Sequence, residues 1–488
     1  MAFTVISNET STQTVNDTDI FTLLPGGTLT TMGNAIQFNA AITSEATVNI
    51  LGTIVTGANG VDAFNYLPAA PDAVNNLRVR VGPEGSIYGY FTGITQEVGA
   101  NNSIVNEGTI HGETESAIYV RGGTNTRIEN HGTMTANGSQ GTIEFHAGTN
   151  SYILNTGIMS GVGQTTANAT ILTRSTVLVN SGTISSAEGR TVVFESDDNT
   201  VRNSGSIFGQ VSFQGGADTV INTGQIGSVT LGGGADAYHG FGNGVTTGEV
   251  QGNAGNDTLA GGNLADHLVG GEDDDKLVGR SGDDTLDGGT GNDFIQGGTG
   301  NDYIEGGADN DTLNGNADDD TLNGDAGNDL LVGQDGSDVL DGGANNDTLD
   351  GGNGDDVLEG GTGNDILRGR NGEDDLAGGE GKDFLTGGQG ADNFVFRSLA
   401  DAGIGADRDQ ILDFEQGVDL IVVAGLSPGV FEFRGTAAFA PSGNPELRLV
   451  ETASGSTIVL LDNNGDGTQD AEIRVANVTG LTADDFVL

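Results

Sequence analysis

Three rhythms of apolar and polar positions divide the chain. Up to about residue 247, short β-branched runs such as Ile153-Leu154, Val177 to Val179 and Val192 to Phe194 alternate with turns carrying Asn-x-Gly, at Asn106, Asn130, Asn155, Asn180, Asn203 and Asn222. Successive copies lie 24, 25, 25, 23 and 19 residues apart. Gly85, followed by Ser86 and Ile87, keeps this frame one coil earlier with Pro83 in the Asn place, and Gly52 to Ile54 is a more distant echo. Strands of a few residues repeating at this interval predict a right-handed parallel β-helix. In such a stack the recurrent Asn would hydrogen-bond from coil to coil, and the Gly would supply a left-handed φ at the bend.

From residue 252 to 395 the period tightens to nine, and the unit reads G-G-x-G-x-D-x-U-x. Its sixth position is Asp in all sixteen copies: Asp257, Asp266, Asp275, Asp284, Asp293, Asp302, Asp311, Asp320, Asp329, Asp338, Asp347, Asp356, Asp365, Asp374, Asp383 and Asp392. The first position is always Gly, and the eighth is always Leu, Ile or Phe. Six residues with little side-chain bulk make a turn, and three with one inward apolar residue make a strand. Two units then close one coil, with apolar residues of opposite strands meeting in a thin core. The turns stack in two columns, about 4.8 Å per coil, which sets the Asp of one repeat over the Asp two repeats on. Beyond residue 396 the period is lost and mixed β patterning takes over, as in Ile411-Leu412 and Thr457 to Leu461. The expected organisation is all-β: a parallel β-helix over 1–247, a β-roll over 248–395 and a small β module over 396–488.

Composition decides what the turns can bind. Gly is 85 of 488 residues and Cys is absent, so there is no disulfide framework and no thiolate metal site. The net charge is −52, and residues 252–395 hold 34 acidic against 5 basic side chains, −29 over 144 residues. Nucleic acid and anionic membrane would be repelled by such a block. With few aromatics it should stay unfolded until counterions neutralise it. Stacked carboxylates beside turn carbonyls left bare by Gly are hard oxygen ligands, the kind Ca²⁺ takes six to eight at a time at about 2.3–2.6 Å.

This unit resembles the RTX, or hemolysin-type, calcium-binding repeat. The resemblance implies a parallel β-roll in which Ca²⁺ lies between the turns of repeats n and n+2, held by the sixth-position Asp and by turn carbonyls. Pairs such as Asp284 with Asp302 and Asp293 with Asp311 would then share ions. Five copies depart at the fourth position, with Leu264, Asp273, Asp309, Asp318 or Asn345 in place of Gly. Asp and Asn tolerate positive φ, whereas Leu does not, so the site containing Leu264 is expected to be weak or empty. A disordered acidic linker would share the composition, but it would not keep an apolar residue at every eighth position.

After the repeats, Ala391 to Phe396, Asp407 to Phe414 and Gly417 to Ile421 resemble the C-terminal module of serralysin-type secreted proteins. The ending, Leu481 to Leu488, resembles the family's uncleaved signal for a type I secretion apparatus. The opening residues lack a basic stretch followed by an apolar one, and no run approaches the ~20 apolar residues of a membrane-crossing helix. An extracellular, secreted protein is the expectation. Asp462, Asn464, Asp466 and Asp470 also occupy positions 1, 3, 5 and 9 of an EF-hand-like calcium loop with Gly467 at position 6, but position 12 is Ile473 where a bidentate Glu is needed. A hairpin turn explains the same residues.

For catalysis the sequence offers little. It has neither H-E-x-x-H nor G-x-S-x-G, and its histidines, His111, His131, His146, His239 and His267, fall at different places in the coils. Arg121, Arg127, Arg174, Arg190 and Arg202 are scattered, and Glu107, Glu129, Glu144 and Glu195 form no stacked column. The expected function is a secreted calcium-binding structural or adhesive protein whose partner is a cell-surface glycan or another copy of itself. The alternative is a polysaccharide epimerase or lyase acting from the β-helix.

Overall fold

A computed structural model describes the chain except residues 1, 6–10, 12, 16–18, 32–34, 39–45, 57–63, 66–74, 97–98, 139–140, 146–148, 162–168, 196, 424–425 and 427–428. The fold is all-β, and its helical elements among the described residues are two short 3-10 turns, Leu399–Asp401 and Ala483–Asp485. Two compact units form, Met1–Thr258 and Leu259–Leu488.

The first unit is a parallel β-helix. A typical coil contributes three strands, for example Ser103–Asn106, Thr109–Gly112 and Ile118–Val120, each paired in parallel with its counterpart one coil on. Register places like over like: Ile87, Ile110, Met134, Met159, Ile184, Ile207 and Ile226 form one fully buried inner column. The Asn column forms as expected. Asn106 Nδ2 donates to Asn130 Oδ1 at 2.8 Å, and the ladder runs on through Asn155, Asn180, Asn203 and Asn222 at 2.7–2.9 Å, with every member buried. Each buried amide thereby satisfies a neighbour identical to itself, which removes the cost of hiding a polar group.

The Gly two residues after each Asn plays a different part from the one expected. Gly108, Gly132, Gly157, Gly182, Gly205 and Gly224 do not adopt left-handed φ. They are required by close approach instead: a Cβ on Gly132 would lie 2.1 Å from the Gly108 carbonyl oxygen, and one on Gly157 the same distance from that of Gly132. Toward the end of the unit the coil narrows. The strand Thr183–Phe194 pairs with both Ile158–Gly161 and Ile171–Thr173, so two strands of one coil fuse into one in the next. The step from Asn222 to its register partner Gly240 is then 18 residues.

The second unit carries the nonapeptide block, beyond most of its first repeat, as a two-sided roll. Strands such as Thr285–Thr290 and Tyr303–Ala308 pair in parallel, with Leu286 opposite Ile304, while Phe294–Thr299 and Thr312–Ala317 build the other face. The eighth-position side chains from Leu268 to Phe394 are all fully buried. Past the repeats, Asp409–Ile411 and Leu420–Val422 extend the roll's two faces in parallel, and Glu446–Glu451, Thr457–Asp462 and Ala471–Val475 then make an antiparallel sheet. Phe486–Val487 pairs with Leu420–Val422.

Candidate metal centre

Most nonapeptide turns are set by two left-handed residues, at the second and fourth positions. Gly289 (φ 102°) and Gly291 (φ 121°) illustrate the pair. The polar replacements at the fourth position keep the turn, since Asp273, Asp309, Asp318 and Asn345 have φ between 75° and 85°. The second position makes the same demand, met by Arg280, Asn316, Asp325, Gln334 and Arg370 as well as by Gly.

The turn delivers the sixth-position Asp to a buried ladder. Asp284 N donates to Asp302 Oδ1 at 2.8 Å and Asp293 N to Asp311 Oδ1 at 2.8 Å, and the two columns continue every 18 residues, the first to Asp392 and the second to Asp383. All these residues are nearly inaccessible to solvent. One carboxylate oxygen is thus used by the ladder. The other, Oδ2, has no hydrogen-bond partner in any sixth-position Asp from Asp284 to Asp392. A buried charged oxygen without a partner is costly. Burial accordingly pushes the carboxyls up, with acidic neighbours adding to the effect: Asp284 and Asp356 to about 7, Asp311 to about 8.

Beside each orphaned oxygen lies the invariant first Gly. A Cβ on Gly288 would sit 2.4 Å from Asp293 Oδ2 and 2.6 Å from Gly306 O; on Gly333 the distances are 2.1 Å to Asp338 Oδ2 and 2.6 Å to Gly351 O. The missing methyl leaves a small cradle edged by carboxylate and carbonyl oxygens. Among the described residues no three His, Asp or Glu side chains converge as a metal cluster, so carbonyls must supply part of the oxygen set. Hard, stacked, desolvated oxygens fit Ca²⁺.

Leu264 breaks this arrangement. It does not take left-handed φ, and the turn folds so that Gly262 N donates to Asp266 Oδ2 at 2.6 Å. Arg280 Nη1 meanwhile donates to the Gly261 carbonyl at 2.6 Å. The oxygen left open in other turns is here taken by a backbone N–H, and the turn carbonyl faces a guanidinium.

The EF-hand-like residues form the hairpin turn between Thr457–Asp462 and Ala471–Val475. Asp462 is buried, with Oδ1 and Oδ2 accepting from Gly465 N and Gly467 N; Asp466 Oδ1 accepts from Thr468 N, Asn464 Oδ1 from Asp466 N and Asp470 Oδ2 from Asn463 N. Ile473 is fully buried in the core. In the β-helix, His111 contacts Thr135 and Glu113, His131 contacts Thr156, and Arg127 and Arg174 pair with Glu129 and Glu195. His146 lies outside the described residues.

A further ladder went unnoticed in the sequence because it occupies the variable fifth position. Asn310, Asn328, Asn346 and Asn364 each donate through Nδ2 to the Asn Oδ1 one coil before, starting at Asn292, along one exposed edge of the roll. The recurrence of Asn at every second repeat was the available signal.

Comparison with known proteins agrees with the turn geometry. The RTX calcium-binding nonapeptide repeat matches in overlapping copies that span residues 251–394. This chain therefore carries a block of RTX repeats, and such repeats bind calcium ions at multiple sites. A search of curated proteins gives no match. Among solved structures, a solution structure of a subunit of the Azotobacter vinelandii mannuronan C5-epimerase is similar at 30% identity over 29% of this chain and 78% of that one, with a TM-score of 0.24.

Proposed function

We propose that the protein is a secreted structural or adhesive protein that folds when it meets extracellular calcium, with the sixth-position aspartates, Asp266 excepted, as the ligands. The observation that carries this reading is the column of buried Asp Oδ2 atoms without partners, each beside a Gly cradle. Calcium scarcity inside a cell would leave the block unneutralised and unfolded, fit for a narrow exporter. Outside, binding free energy becomes folding free energy.

Export by a type I apparatus is read from the ending. Asp485 is buried and accepts from Gly417 N and Thr482 N, while Phe486–Val487 joins a sheet, so in the folded state the segment is tied down. An exporter would read it only before folding. Removing residues 484–488 is expected to keep the protein inside the cell; normal amounts in the medium would refute the signal.

His111, His131, Arg127 and Arg174 of the β-helix are engaged in local pairs, which favours a binding or structural surface over a catalytic one. Incubation of the calcium-loaded protein with alginate, pectate and casein is expected to give no turnover. Turnover of either uronate polymer would establish the epimerase or lyase alternative.

A further inference from the structure

The corner of the coil that holds the Asp ladder in the repeats has a counterpart within the first unit, upstream of every RTX match. Thr126, Ser151, Thr176 and Asn199 occupy it in successive coils, each directly before register-matched strand residues, and all are buried and neutral. In the next two coils the residue becomes Asp218 and then Asp236. They are 1% and 3% exposed.

The ladder itself does not explain the change. Asn199 serves it fully as an amide: its Oδ1 accepts from Thr176 N at 2.9 Å. Asp218 Oδ1 accepts from Asn199 N at 2.7 Å and Asp236 Oδ1 from Asp218 N at 2.6 Å, which leaves Oδ2 of both without a hydrogen-bond partner. The charged groups acting on the two carboxyls are acidic, Asp198 and, for Asp218, Asp236. The turns also match those of the repeats. Asp197, Gly216 and Gly234 take left-handed φ of 64°, 123° and 129° two residues before the corner, as Gly291 does before Asp293. A Cβ on Gly234 would lie 1.9 Å from the Gly216 carbonyl oxygen, as close stacking of bare turns requires.

We propose that Asp218 and Asp236 bind a calcium ion between adjacent turns of the β-helix, at a site outside the nonapeptide repeats. The proposal rests on the reading that sixth-position aspartates are calcium ligands. One feature differs from the repeats: the place of the first Gly is taken by Phe213 and Leu231, both buried. The space that a first Gly leaves open in the repeats is therefore not provided here, and the site is expected to fill at higher calcium than those of the roll. Its effect is to tie the stability of the last β-helix coils to calcium.

The test uses the full chain, with bound calcium counted by equilibrium dialysis and peptide hydrogen exchange followed in calcium and in chelator. The double variant Asp218→Asn, Asp236→Asn keeps the ladder acceptor, as Asn199 does. It is expected to bind about one calcium fewer per chain and to lose calcium-dependent protection over residues 211–240, while residues 285–366 keep theirs. Asn199→Asp, which lengthens the acidic column by one coil, is expected to bind about one more. Unchanged stoichiometry in both variants, with wild-type protection over 211–240, would overturn the proposal while leaving the repeat sites standing. A wild-type chain that binds no calcium and shows no protection over 285–366 would instead sink the reading on which it rests.

Discussion

Two glycines of the nonapeptide do different work. At the first position the residue must lack a Cβ because the space is wanted next to the Asp oxygen; at the fourth it must reach left-handed φ, which Asp and Asn also do at 273, 309, 318 and 345. That distinction explains why the first position never varies in the sequence and the fourth does. Gly288→Ala should therefore act on one site, weakening it without removing its carboxylates and moving the folding midpoint to higher calcium. A calcium titration followed by circular dichroism checks it; an unshifted midpoint would mean the cradle is not the binding space. The altered turn at Leu264 was legible from that residue's intolerance of positive φ. The Arg280 guanidinium on the Gly261 carbonyl was not, because it arrives from a second position that the repeat consensus leaves open.

At the scale of strands and coils, periodicity was a sufficient guide to register. Nine residues per strand and turn give an 18-residue coil, and an apolar eighth position then falls on itself, as Leu286 over Ile304. The Asn-x-Gly frame set the β-helix register in the same way, since a slipped coil would bury Asn beside apolar side chains. What escaped was the fusion of two strands into Thr183–Phe194 and the reason for the Gly after each Asn, both of which depend on how closely neighbouring coils approach. The carboxylate columns carry a pH prediction. Asp284, Asp311 and Asp347 have pKa values raised from the ordinary 3.8 to about 7, 8 and 7 in the metal-free fold. A raised value means that the fold prefers the protonated form, so this stability is present below about pH 4 and lost as pH climbs through about 6 to 8. In chelator, β-structure should be present at pH 4 and lost by pH 8, and calcium at pH 8 should restore it. Equal structure at both pH values in chelator would contradict the columns as drawn.

For the whole molecule, a chain with −52 net charge has to find positive charge before it can compact. Its 17 basic residues cannot supply it, and the carboxylates are gathered where turns stack most tightly. On the proposed reading, calcium belongs to the fold of the repeat block as an apolar core belongs to an ordinary domain, with the leucine column alone too thin to replace it. Far-UV circular dichroism of the full chain at pH 7.5 tests this most directly. The account predicts that in chelator the repeat block contributes coil and that millimolar calcium converts it cooperatively to β-structure; a spectrum unchanged between the two conditions would contradict it.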